Sequence, residues 1–247
     1  MPKISGLGLG EIKKISGLGA GTVKKVSGLG LGLIWQDSPF PVVDGVLSGF
    51  GDSNATNRAI TMPPAASAGG LDLVLINVDS TATMSTASSG WTEIADFSTG
   101  SAGCRIGVYA GIHGTAAALS IATANLHASW AAFAISNWNG VIADIKIATG
   151  GSVAANFDPP SLTPATGLQN YLWLTAASGD GGTPMPTAGP SGFTGFGNVR
   201  CNSAASGTHT NLGWATLAER NTVKNPGTFA ASTANYLALT LSVVGSS

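Results

Sequence analysis

Charged residues are scarce in this chain of 247 residues. Lysine, arginine, aspartate and glutamate together make up 9% of it, against about 25% in typical soluble domains. A surface with so little charge is poorly protected against association. We therefore expect other subunits to cover much of this surface. A surface that uses serine, threonine and asparagine in place of charge is the alternative.

Cysteine and histidine, the common ligands of zinc, are nearly absent. His113, His127 and His209 lie far apart, and neither His-x-x-x-His nor Cys-x-x-Cys spacing occurs. The sequence therefore predicts no metal and no cofactor. For Cys104 and Cys201 we favour two buried free thiols. A single disulfide is the alternative, because the two occupy loosely corresponding places in the two similar halves described below.

Long apolar runs, basic clusters and catalytic motifs are also missing. No apolar run approaches the roughly 18 residues that span a membrane, and the first residues lack the pattern of a secretory signal. No Gly-x-Ser-x-Gly elbow is present, and the GLGLG segments are not a dinucleotide fingerprint. Residues 36–247 carry no basic field suited to nucleic acid. We expect a soluble, non-enzymatic protein made in the cytoplasm, with no nucleic-acid partner and no membrane insertion.

What the chain has instead is a short tandem repeat at its start. The phrase Lys-Ile-Ser-Gly-Leu-Gly-Leu-Gly begins at Lys3 and returns, slightly varied, at Lys14 and Lys25, with a period of eleven residues. Alternating glycine and leucine predicts short strands and argues against helix. Because eleven is odd, a continuous strand would turn the leucines of successive units to opposite faces, so each unit needs a turn or bulge.

Three such units are too short to bury a core alone. We therefore predict that residues 1–35 form an assembly or anchoring module. Its apolar contacts would come from Ile4, Leu7, Leu9, Ile15, Leu18, Val26, Leu29 and Leu31.

Charge is unevenly divided between this repeat module and the rest of the chain. Residues 1–34 hold five lysines and one glutamate, a net charge of +4, whereas the remaining six basic and eleven acidic residues give −5. We interpret the regularly spaced lysines as the polar edge of short strands, because they do not form a cluster of the kind that binds phosphate.

The region from residue 36 to residue 247 has the pattern of an all-β domain. Strand-like runs alternate with loops rich in glycine, proline, serine and threonine, as in a sandwich or barrel. The Ala-rich stretch Thr115–Leu126 is the one candidate helix, and a strand with flanking loops suits it about as well. Two weakly similar halves, about 40–150 and 151–247, each supply about four strands. We predict a two-sheet, jelly-roll-like β-sandwich.

Three segments carry a family resemblance. They are Pro-Ala-x-x-x-Gly-Gly-Leu-Asp-Leu-Val-Leu from Pro64, Ser-Gly-Trp-Thr-Glu-Ile from Ser89, and Arg-Ile-Gly-Val-Tyr at 105–109. Together with the N-terminal repeats they resemble the β-sandwich domains of tailed-bacteriophage virion proteins. The resemblance covers nearly the whole chain, and its motifs mostly encode strands and turns.

The resemblance implies a virion structural component released by lysis. We expect a head or tail fibre or spike subunit involved in host attachment, assembled as a homotrimer and contacting other virion proteins of the capsid, portal or tail. A capsid decoration (cement) protein is the alternative, and a polysaccharide-degrading tailspike is the third.

Aromatic residues in polar loops are the candidate contacts to a host surface glycan. Trp138 lies between two asparagines directly after a strand, and two phenylalanines lie in the glycine-rich segment GPSGFTGFG. Exposed rings beside amides suit sugars through stacking and hydrogen bonding. The competing interpretation, which we prefer, is that Trp138 closes one end of the core. The candidate set is Asn137, Trp138, Asn139, Phe193 and Phe196.

Acidic residues offer two further interpretations. Asp44, Asp52, Ser53 and Asn54 could supply oxygen ligands to calcium, but such clusters more often make turns. Carboxylates for glycoside hydrolysis would have to come from Asp79, Glu93, Asp96 and Asp180, which lie on the loop side of the aromatic turns.

Overall fold

The protein is an all-β sandwich, as the sequence predicts. The computed structural model describes residues 38–64, 68–99, 103–154, 156–180, 185–202 and 209–246. The repeat module and its predicted apolar contacts lie outside these residues. Phe40–Ser246 forms one compact unit.

Eleven strands make two antiparallel sheets in the described part of the chain. The N-terminal sheet holds β1 (Val42–Ile60), β2 (Leu71–Val78), β3 (Ser85–Thr86), β4 (Trp91–Phe97), β5 (Arg105–Ile112) and β6 (Leu119–Ser136). The C-terminal sheet holds β7 (Lys146–Ala154), β8 (Gln169–Asp180), β9 (Thr194–Asn202), β10 (His209–Asn221) and β11 (Ala234–Val244). One 3-10 turn is found among the described residues, Ile142–Asp144, and it connects β6 to β7 along the chain. The stretch considered as a helix is a turn followed by the start of β6.

The two sheets have the same strand order. The N-terminal sheet runs β1-β6-β2-β5-β4, with the short β3 beside β6, and the C-terminal sheet runs β7-β11-β8-β10-β9. In both, the main strands follow the order first, last, second, fourth, third. Each sheet is therefore built from one continuous half of the chain, a finding that refines the jelly-roll expectation.

Alternation along the strands fills the space between the sheets. In β2, Leu71, Leu73 and Leu75 face the other sheet and join its leucines in one core cluster. Phe133 and Trp214 meet edge to face within this core, with ring centroids 6.0 Å apart. Burial of these side chains is the main favourable term that holds the sheets together.

Part of the outer face of each sheet is also buried, and the strand order explains why. β2 and β4 both run antiparallel to β5, so they are parallel to each other and their connection must cross the sheet. That connection places Met84 over the outer residues Val74 and Ile76. In the C-terminal sheet, Phe157 and Phe229 cover the outer face in the same way.

Candidate functional site

The loop after β6 holds three of the predicted glycan-contact residues. Asn137 is exposed and has a φ of 57°. Trp138, in contrast, is 6% exposed, and its indole N–H donates to the carbonyl of Gly69 at 3.0 Å. Its ring belongs to the inter-sheet core. The indole therefore closes the core and has no free face for a sugar.

Asn139 is tied to the turn that follows it. Its Nδ2 donates to Oδ2 of Asp144 at 2.7 Å, and its Oδ1 accepts from the N–H of Val141 at 3.1 Å. Both ends of this amide therefore shape the loop. Of the three residues, only the Asn137 side chain is exposed.

The two phenylalanines lie on the outer face of the C-terminal sheet. Phe193 is half-buried, and Nζ of Lys224 lies 5.5 Å from its ring centroid. Phe196 is 36% exposed and lies 6.4 Å from the ring of Phe229, at a tilt. The candidate glycan residues thus form two groups on different elements, and Phe196 is the aromatic residue among them with the greatest exposure.

Two of the four candidate carboxylates come together on the outer face of β4 and β5. Asp96 accepts from Nε of Arg105 at 2.5 Å and from the N–H of Met84 at 3.0 Å. Glu93 lies opposite the buried Tyr109 on the neighbouring strand. Burial raises the pKa of Glu93, and the negative charge of Asp96 raises it further. Burial also raises the pKa of Tyr109, as do the two carboxylates.

This arrangement separates the roles of the two acids. Both oxygens of Asp96 are engaged, so its carboxylate holds the connection before β4 in place. The Glu93 residue is exposed as a whole, but its carboxyl is partly buried beside Tyr109, and this desolvation is what raises its pKa. A raised pKa favours the protonated form that a general acid needs.

The other two candidate acids are elsewhere. Asp79 follows β2, where its N–H donates to the carbonyl of His127 at 3.1 Å. Asp180 ends β8, and its side chain lies outside the described residues.

A His–Asp pair that the sequence did not reveal lies at the start of β2. Nδ1 of His113 is 3.0 and 3.1 Å from the two carboxylate oxygens of Asp72. Asp72 is buried, and burial raises its pKa while the hydrogen bond and charge of His113 act in the opposite direction. The one available signal was an acid inside the apolar run of β2. Its partner is 41 residues away, so local pattern could not identify it.

A buried polar cluster joins the two sheets. Nδ2 of Asn77 donates to the carbonyls of Asn211 at 3.0 Å and Gly179 at 3.4 Å. Ser129 Oγ donates to Thr210 Oγ1 at 2.9 Å. These bonds are specific to one alignment of the sheets, so they favour that alignment over others.

In the described part of the chain, no three His, Cys, Asp or Glu side chains come together as a group that could hold a metal ion. Of the calcium candidates, Asp44 accepts from Ser136 Oγ at 2.9 Å. The side chains of Asp52, Ser53 and Asn54 lie outside the description.

The two cysteines are buried and form no disulfide with each other, which agrees with the interpretation that we favoured. Cys104 and Cys201 both have fully buried side chains. Sγ of Cys201 donates to the carbonyl of Gly51 at 3.3 Å and so links β9 to β1.

Among the described residues, no helix has the length and apolar character needed to cross a membrane. The chain matches no protein-family model, no curated protein and no solved structure.

Proposed function

We propose that this chain is a non-enzymatic structural protein of a tailed-phage virion, a fibre or spike subunit of the head or tail. The observation that carries the proposal is the joining of three eleven-residue sequence repeats to a charge-poor β-sandwich. The repeats cannot bury a core alone, whereas the sandwich has its own. One part is therefore suited to assembly and the other to display.

In this proposal the repeats carry the contacts to other chains. Their leucine-rich face would pack against the same repeats in a homotrimer, or against capsid, portal or tail proteins. The glycine face permits close approach of another backbone. The sandwich would then face outward.

Host attachment would use the exposed loop residues. Asn137 and Phe196 are the members of the candidate set that best combine a suitable side chain with exposure. Trp138 would serve attachment only by holding the loop in position, through its bond to Gly69.

Burial of Trp138 favours the second candidate function, a capsid decoration protein. It removes the largest aromatic ring from the set of sugar contacts, and a sandwich whose own connections cover part of each outer face suits a role in reinforcing a shell. The third candidate, a polysaccharide-degrading spike, rests on Glu93, whose raised pKa suits a general acid.

The experiment that separates these functions uses the purified full-length chain in three assays run in parallel. Binding to host cells, abolished by removal of surface glycan, supports the fibre or spike. Binding to purified capsids alone supports decoration. Shortening of host glycan chains that is lost in the Glu93→Gln variant would contradict both of these functions and would support the polysaccharide-degrading spike.

A further inference from the structure

The edge strand β1 has an uninterrupted stretch with unusual composition. Its register with β6 is regular from Gly45 to Gly51 and shifts on either side of this stretch. Among the described residues, the other long side of β1 has no strand beside it. The Gly45–Gly51 stretch therefore offers seven residues of backbone for pairing.

This stretch exposes large apolar side chains on both faces of the sheet. Phe50 is 54% exposed, Val46 is 40% exposed and Leu47 is 38% exposed. Phe50 and Val46 share one face, because their β6 partners Ser129 and Phe133 do, and Leu47 is on the other face. An apolar edge of this kind is a template for another strand.

Gly45–Gly51 also lacks the residues that normally protect an edge. It contains no charged residue and no proline. The charged residues of β1, which are Asp44, Asp52 and Arg58, all lie outside this stretch. Since charge and proline are the usual means of preventing edge pairing, their absence from a stretch that exposes three large apolar side chains indicates a surface that is covered in the assembled protein.

We propose that β1 pairs antiparallel with β1 of a second copy of this chain, about a two-fold axis at Ser48. Ser48 is the midpoint of the regular stretch, so this register uses all seven residues. It places Phe50 opposite Val46 of the second copy, and Leu47 opposite Gly49 of that copy. A large side chain thus meets a smaller one at these two pairs, and the interface is closed by its own symmetry.

The charges next to the stretch are consistent with this register. If pairing continued in both directions, Asp44 would face Asp52 of the second copy. The register shifts after Val43 and after Gly51 end the regular edge before those positions. Pairing therefore stops where like charges would oppose it. The proposal does not depend on what the repeat module binds.

Disulfide cross-linking of the full-length chain tests the register directly. Residues opposite each other in an antiparallel pair have Cα atoms about 4.5–5.5 Å apart, within the range of a disulfide. Ser48 is exposed and would lie opposite itself, so Ser48→Cys is expected to form a covalent dimer under mild oxidation. The native cysteines are buried and should not contribute. Ser152→Cys is the matched control, since it is an exposed serine on the edge strand β7.

A second pair of variants tests the apolar contact. Val46→Lys in the Ser48→Cys chain should slow dimer formation by about tenfold or more, because two symmetric cross-strand contacts are lost. Val153→Lys, at a 60% exposed position on β7, should leave the rate unchanged.

Two results would overturn the proposal. One is Ser48→Cys that cross-links no faster than Ser152→Cys, in chains shown by circular dichroism to be folded. The other is cross-linking that Val46→Lys does not slow. Either would mean that the edge is free or that something other than a second β1 covers it.

Discussion

The indole of Trp214 lies directly over Gly197 on the neighbouring strand, in the space that a Cβ at that glycine would occupy. Trp214 is 5% exposed and packs edge to face on Phe133 of the other sheet. The glycine is thus part of the packing of the core, and its lack of a side chain makes room for the largest ring at that position.

Gly197→Ala is therefore expected to destabilise the protein by about 1–3 kcal/mol, as overpacking does. Gly150→Ala is the control, because a Cβ there would have no neighbour closer than 3.8 Å. Urea unfolding of both variants measures the difference. Equal effects would show that Trp214 moves aside without cost.

The contribution of Asp72 to the free energy of unfolding should decrease as the pH rises. Burial raises its folded-state pKa, so the folded protein binds this proton more tightly than the unfolded chain does. Its contribution is full below about pH 3.9, the ordinary aspartate value, and is lost as the pH rises through the higher folded pKa.

Unfolding measured between pH 3 and pH 7 tests this effect. The stability advantage of wild type over Asp72→Asn should shrink as the pH rises, while the exposed Asp158→Asn controls for loss of one charge. An advantage that grows with pH would show that the ionised Asp72–His113 pair is the stabilising form.

Asp96 and Glu93 should differ in their importance for stability. Asp96→Asn weakens the bonds from Arg105 and the Met84 N–H, so a loss of about 1–3 kcal/mol is expected. Glu93→Gln, at an exposed position, should change the free energy of unfolding by less than about 0.5 kcal/mol. Thermal unfolding of the two variants is the measurement. The reverse order would contradict the structural role given to Asp96.

Substitutions of Trp138 and Phe196 are predicted to affect different properties, with stability depending more on Trp138 and glycan binding more on Phe196. Trp138→Phe removes the indole N–H bond to Gly69, so it should cost about 1 kcal/mol of stability and weaken host-cell binding less than the loss of a direct contact does. Phe196→Ala should weaken that binding and leave most of the stability. Binding unaffected by Phe196→Ala would exclude this ring as a sugar contact.

Deletion of residues 1–35 is expected to abolish assembly through the repeat module and leave a folded sandwich. The reason is that Phe40–Ser246 contains the whole inter-sheet core. Light scattering after size exclusion gives the mass, and circular dichroism checks the fold. A truncated chain that kept the full-length oligomer would show that the repeats do not assemble the protein.

Several strands were predictable from local sequence alone. Leu71–Val78 is an apolar run that directly follows Gly69-Gly70, and it forms β2. Gly90 and Gly192 are each followed by an aromatic residue and a threonine, and they have positive φ of 84° and 82°. An apolar run favours a buried strand and glycine accepts positive φ without steric cost, so the pattern of neighbouring residues was sufficient here.

The candidate sites were less predictable, because they depend on which strands become neighbours. Trp138 lies between two asparagines, which is the local pattern of an exposed loop. Its indole is nevertheless buried in the inter-sheet core, where its N–H donates to the carbonyl of the distant Gly69. Asp72 lies on β2 and His113 directly follows β5, and no spacing rule shows that these two strands pair.

By itself, the sequence determined the strand content, the repeat period and the scarcity of charge, since each is a property of neighbouring residues or of composition. Only the tertiary structure decided that each half of the chain makes one sheet, that the crossing connections bury part of each outer face, and that β1 presents an apolar edge. These features depend on pairing between distant segments, whose free energy comes from burial and hydrogen bonding that form only when the whole domain folds.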